Sequence, residues 1–187
     1  MAIFFVSILA ITLYLVQRDP QLLERRVQAG PAAEQQKTQK LIQSIAQAAF
    51  IMMFILPGLD YRFGWSQVPL AVSVAGDILV VLGLTFVFFV FKENPFTSAV
   101  IEVGAEQSVI STGPYALVRH PMYIGALVML VGVPLALGSW WGLLTIIPIT
   151  IVIVWRLLDE EKFLAKNLPG YVEYYARVRY RLVPFIW

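Results

Sequence analysis

Apolar residues run through this chain in long blocks. They show neither the alternation of a half-buried strand nor the stripe of a surface helix. The blocks predict five apolar spans, at residues 1–16, about 41–59, 68–91, 121–137 and 140–158. A bilayer span takes about 20 residues, so the first is short. A signal peptide is its competing reading. The stretch has no positive n-region, and QRDP follows it where a small-residue cleavage site would stand, which favours a retained span. Only Gly138 and Ser139 separate the last two blocks, which predicts a tight antiparallel helical hairpin. Pro134 and Pro148 fall inside these spans and free backbone groups that neighbours must satisfy. Trp140 and Trp141 at the tip read as an interfacial anchor.

Composition agrees with a life in the bilayer. Hydrophobic residues make up 59% and charged residues 14%, against about 45–50% and 25% in ordinary globular chains. The expected class is an all-α integral membrane protein, one domain over 1–187. Residues 1–108 hold spans one to three; residues 109–187 hold the hairpin and a C-terminal helical tail. The absence of cysteine excludes disulfides, thiolate metal sites and a cysteine nucleophile. One histidine cannot build a multi-histidine metal site, so no metal is expected. A net charge of +2 gives no reason to expect a nucleic-acid partner.

The distribution of charge says more than its sum. With five spans, 13 of the 14 basic residues fall on one side, and Arg62 alone on the other. By the positive-inside rule that side is the cytoplasm, with the N-terminus outside and the tail inside. Asp77 lies within the third span, where acids are expensive and often functional. A hydrogen-bonded aspartate at a helix contact is the other reading.

Two polar clusters then converge. Pro121 suits the first position of a helix, and residues before a proline avoid helix. Arg119 and His120 therefore sit in an irregular entry at the cytoplasmic boundary, with Tyr123 and Gly125 on the first turns beyond. Gly125 leaves room for a ligand or a neighbouring helix. The fifth span ends in RLLDEEKFL. Counted from the hairpin tip, His120 and Glu160 lie about 19 and 22 residues away, a mismatch of about one turn. Arg119 and His120 thus face Asp159, Glu160 and Glu161. The tail that follows predicts a short helix on the cytoplasmic surface, capping the cluster. Boundary charges alone are usually anchors; their convergence with a histidine and a tyrosine suits a pocket for a polar small molecule, opening sideways to lipid.

At GPYALVRHPMYIG, DEEKFL and GYVEYYARVRYRLVPFI the chain resembles the isoprenylcysteine carboxyl methyltransferase family, with its relatives among membrane phospholipid methyltransferases. The shared pattern is G-P-Y, R-H-P-x-Y-x-G, E-E-x-x-L, G-x-x-Y and a closing Arg and Pro. The resemblance implies an S-adenosylmethionine-dependent methyltransferase acting on a carboxylate or an amine of a lipophilic or lipidated acceptor within the membrane lipid. The chain lacks the extra N-terminal spans of the eukaryotic prenylcysteine enzymes, so their particular substrate is not carried over; the expected location is a prokaryotic inner membrane.

Carried over, His120, Tyr123, Glu160 and Glu161 contact the cofactor. The carboxylates take its ammonium and sulfonium charge; His120 and Tyr123 bond or stack on ribose and adenine. Backbone groups around Tyr115, Leu117 and Val118 read the adenine edge, and Gly125 admits the ligand. Arg119 orients an anionic acceptor, and Glu161 is the candidate proton acceptor for an amine. The alternatives are an NADPH-dependent membrane reductase of the sterol-reductase type, whose tail arginines would hold a 2′-phosphate, and a non-enzymatic adaptor.

Overall fold

The computed structural model describes residues 2–34, 36–104 and 106–187. Met1, the start of the predicted first span, lies outside the described residues. The helices are α1 (Ala2–Arg18), α2 (Pro20–Val27), α3 (Lys37–Phe63), α4 (Leu70–Glu93), α5 (Pro121–Ala136), α6 (Ile146–Asn167) and α7 (Tyr171–Arg177). Among the described residues there is no strand, only one isolated parallel bridge between Val118 and Tyr180. The expected all-helical class therefore holds. By length and composition α3, α4 and the stretch Trp141–Asn167 suffice to cross a membrane, while α1 and α5 are shorter apolar helices.

Local chemistry sets the boundaries. Asp19 caps α2 by accepting from the Leu22 N–H at 2.9 Å, with Pro20 in the first turn. Gly64, at φ +66°, ends α3 in a left-handed cap. Pro121 opens α5, as its fixed φ predicts. Pro148 does not bend a helix interior. It is the third residue of α6, after the 3₁₀ turn Trp141–Thr145, where no helical acceptor awaits its missing N–H.

The tight helix pair is not the predicted one. α5 packs along α4, and meets α6 over only a few residues. Glycines decide this. Gly76 and Gly83 on α4 oppose Gly132 and Gly125 on α5, each pair seven residues apart along its helix, so the two backbones touch. A Cβ on Gly83 would stand 2.5 Å from the Met129 nitrogen and 2.6 Å from the Gly125 oxygen. Where lipid is as apolar as the helix, such close backbone packing drives association. Gly83→Ala should therefore cost about 1–3 kcal/mol, read as a lower unfolding midpoint in detergent. Gly58→Ala, whose Cβ meets nothing within 4 Å, should leave the midpoint unchanged.

The shared core joins Phe4, Met53, Val80, Leu84, Leu130, Val133 and Ile149, drawn from α1, α3, α4, α5 and α6. At one end of the bundle a polar clasp holds the turn between α5 and α6. Buried Asp60 accepts from the Ser66 N–H at 2.7 Å, the Ser66 hydroxyl at 2.6 Å and the Ser139 hydroxyl. The Ser139 hydroxyl in turn accepts from the Gly142 N–H at 2.9 Å. The candidate chemistry lies at the other end.

Candidate active site

A cavity opens where α5 begins and α6 ends, roofed by residues between α4 and α5 and by α7. Its lining includes Tyr115, His120, Tyr123 and Glu160, with Thr97 and Tyr171 across from them. The roof is held in place by side chains from α2, α3 and α6. Arg26 donates to the Ser98 carbonyl at 2.6 Å. Arg156 donates to the Ala99 carbonyl at 2.7 Å and to Glu34 at 2.9 Å, and Gln43 reaches Ala99 at 3.1 Å. Glu34 is buried, and without Arg156 its charge would be stranded.

The two adjacent glutamates do different things. Glu161 is buried and held by two guanidinium groups and an imidazole: Arg119 Nε at 2.6 Å, Arg181 Nε at 3.0 Å and His120 Nε2 at 3.2 Å. It does not line the cavity. Glu160 faces the cavity and accepts from the Tyr123 hydroxyl at 2.9 Å. One residue along a helix turns a side chain by about 100°, and that rotation separates the two roles.

Arg119 is likewise committed. Its Nη1 donates to the carbonyls of Val178 and Arg179 at 2.7 and 2.9 Å, and its guanidinium lies 4.2 Å over the Tyr175 ring. The backbone joins in: Arg119 N–H donates to Tyr180 O at 2.9 Å and His120 N–H to Arg181 O at 3.0 Å. Arg119 and Glu161 thus form a buried lock that fixes the tail over the entry to α5. Glu161, expected as a cofactor or proton contact, is thus turned away from the cavity, whereas Arg119, the expected acceptor anchor, lines the cavity while its Nε and Nη1 are engaged within the protein.

Three further expectations change. Leu117 is exposed and Val118 is buried, and neither lines the cavity. The N–H groups of both donate to Pro114 O, and the Tyr174 hydroxyl takes the carbonyl of Tyr115 at 2.8 Å. That turn engages both of these N–H groups and the Tyr115 carbonyl within the protein. Gly125 also lies off the cavity; its open face is filled by Gly83, Phe86 and Val87 of α4. Its absent side chain serves helix packing.

Burial pushes the Tyr115 phenol up to about 12, with the Asn94 side chain pulling the other way. Burial likewise raises Tyr171 and Tyr174. These phenols stay neutral at physiological pH, and the Tyr174 hydroxyl donates to the Tyr115 carbonyl.

The motif reading missed Thr97. It is buried in the cavity wall, and among the described residues its hydroxyl has no hydrogen-bond partner. The only sequence signal was its position just after α4, ahead of the G-P-Y motif. An unpaired buried hydroxyl costs stability that an isosteric methyl does not. Thr97→Val should therefore leave the unliganded protein as stable or raise its unfolding midpoint by the equivalent of about 1 kcal/mol.

Comparison with known proteins adds two findings. Over 105 residues the chain is 29% identical to the Delta(14)-sterol reductase TM7SF2 of Mus musculus, which covers 52% of this chain and 25% of that protein. The chain thus spans a quarter of the curated relative it matches. The family model for phospholipid methyltransferase matches residues 71–169, which take in α4, α5, α6 and both glutamates. The chain, a membrane protein by its helices, belongs to the phospholipid methyltransferase family.

Proposed function

We propose that this protein transfers a methyl group from S-adenosylmethionine to a carboxylate or amine of a lipophilic acceptor at the cytoplasmic face of a membrane. The observation that carries the reading is Glu160, a carboxylate on the cavity wall held by the neutral Tyr123 hydroxyl and clear of the cations that occupy Glu161. A carboxylate so placed fits the ammonium of the cofactor's amino-acid end. Tyr115, Tyr171 and His120 offer ring faces and polar edges for the adenosyl part.

S-adenosylmethionine held there would supply a sulfonium methyl for transfer to the acceptor, the electron pair of the broken C–S bond staying on sulfur. The protein's task is to align the two and keep water out, and alignment alone is worth about 7–11 kcal/mol. The rigid roof on Arg26, Arg156 and Glu34 suits that task. A carboxylate acceptor loses no proton. An amine acceptor must lose one and react as the free amine.

The test is transfer of labelled methyl from S-adenosylmethionine to a membrane lipid extract, with identification of the labelled product. No label across extracts of varied headgroup and chain type would defeat the reading. The likeness to a sterol reductase supports a second reading, an NADPH-dependent reductase. Arg181, a tail arginine expected to hold a 2′-phosphate there, is engaged by Glu161 and stacked 5.1 Å from the Trp187 ring. Thermal stabilisation by NADPH but not by S-adenosylhomocysteine would favour the reductase.

A further inference from the structure

The last residues do not stay in the polar layer with Arg119, His120 and Glu161. Leu182 is buried against Tyr123 of α5 and Leu157 of α6, and Trp187 packs on the same cluster with Leu127 and Ile153. Leu127 lies six residues into α5, about 9 Å from its start, and Ile153 lies eight residues before Glu161, about 12 Å. The end of the chain therefore reaches down the apolar flank where α5 and α6 part.

There it forms a closed turn. The N–H groups of Arg181, Leu182 and Val183 all donate to Trp187 O, at 2.9, 3.1 and 3.2 Å. Those of Ile186 and Trp187 donate to Val183 O at 3.2 and 3.0 Å, and Pro184 has no N–H to satisfy. Backbone near an apolar medium is best satisfied internally, and these bonds satisfy the N–H groups of Val183, Ile186 and Trp187 on either side of Phe185. Phe185 adopts φ +66°, a conformation that non-glycine residues avoid. The strained turn displays two adjacent apolar side chains, Phe185 at 89% and Ile186 at 80% exposure. Exposed Lys162, Lys166, Arg177 and Arg179 stand in the helix end and tail that lead to it.

We propose that residues 183–187 insert Phe185 and Ile186 into the bilayer interface beside α5 and α6, and that Arg177 and Arg179 hold anionic phospholipid headgroups above them. The occupant is the bilayer because the turn continues the apolar flank of the spans, and because the flanking charge is basic. Aromatic residues at this depth, Tyr180, Phe185 and Trp187, fit an interfacial belt. The same segment carries Arg181, whose side chain bonds Glu161 and whose carbonyl takes the His120 N–H. Anionic lipid thus bears directly on the order of the cavity's wall.

The absence of cysteine allows a direct test. Nitroxide labels are placed on Ile186→Cys, Phe185→Cys and, as a water-exposed reference, Lys166→Cys. Each full chain is reconstituted in nanodiscs of phosphatidylcholine with or without phosphatidylglycerol. Collision rates with lipid-soluble oxygen and with a water-soluble nickel chelate are then measured. At 185 and 186 nickel accessibility should be several-fold below that at 166. It should fall further with phosphatidylglycerol, and the double variant R177Q and R179Q should lose that increment. Nickel accessibility equal to that at 166, insertion indifferent to phosphatidylglycerol, or cover that arrives only with an added protein would overturn the proposal. None of these readouts depends on methyl transfer.

Discussion

Glu161→Ala should be the most destabilising single change in this protein, lowering the unfolding midpoint in detergent by the equivalent of about 3–5 kcal/mol. Removing the carboxylate strands the buried Arg119 charge, takes a partner from buried His120 and frees Arg181. Breaking a buried pair from one side costs far more than the pair contributes, because an uncompensated charge stays behind. The tail should loosen with it, since Arg119 also bridges to the carbonyls of Val178 and Arg179. Limited proteolysis after α6 should accelerate in parallel. A variant that keeps the wild-type midpoint and proteolysis rate would remove the lock from the account.

The second large effect is the opposite in kind. Glu160→Ala should lower the midpoint far less than Glu161→Ala, because its hydrogen bond at the cavity edge is to the Tyr123 hydroxyl rather than to a buried guanidinium. Its loss should appear in ligand binding. A charge-assisted hydrogen bond is worth about 1.5–3 kcal/mol, so calorimetric affinity for S-adenosylhomocysteine should fall about 10- to 100-fold. Glu160→Gln keeps the shape and should lose a similar factor, since the charge is what an ammonium recognises. Wild-type affinity in both variants, with binding intact in the parent protein, would reject Glu160 as the ammonium contact. The pair of variants separates the two glutamates, which sequence alone treats as one motif.

Much of the architecture was legible because bilayer physics is local. Long apolar blocks, a proline at the start of α5 and clustered basic residues each report on their own neighbourhood. The convergence of His120, Tyr123 and Glu160 was also legible, since residue counts from the Gly138 turn place them at one level. Side-chain direction within that level was not. Glu160 and Glu161 differ by one position, and only the neighbours of each decide which meets solvent and which meets Arg119. The same holds for Gly125. Its sequence allowed a ligand or a helix to approach, and the facing Gly83 decided for the helix.

By itself the sequence determined the class: an apolar helical chain with an R-H-P-x-Y and E-E pattern shared with membrane methyltransferases. It did so because hydropathy, proline geometry and motif spacing are properties of the chain read in order. The tertiary structure alone decided the partnerships: α5 with α4 in place of α6, Glu161 with two arginines and His120, and the tail folded back over the entry to α5. Those depend on which surfaces meet across dozens of intervening residues, and on the rotation of each helix about its axis. No spacing along the chain encodes either one.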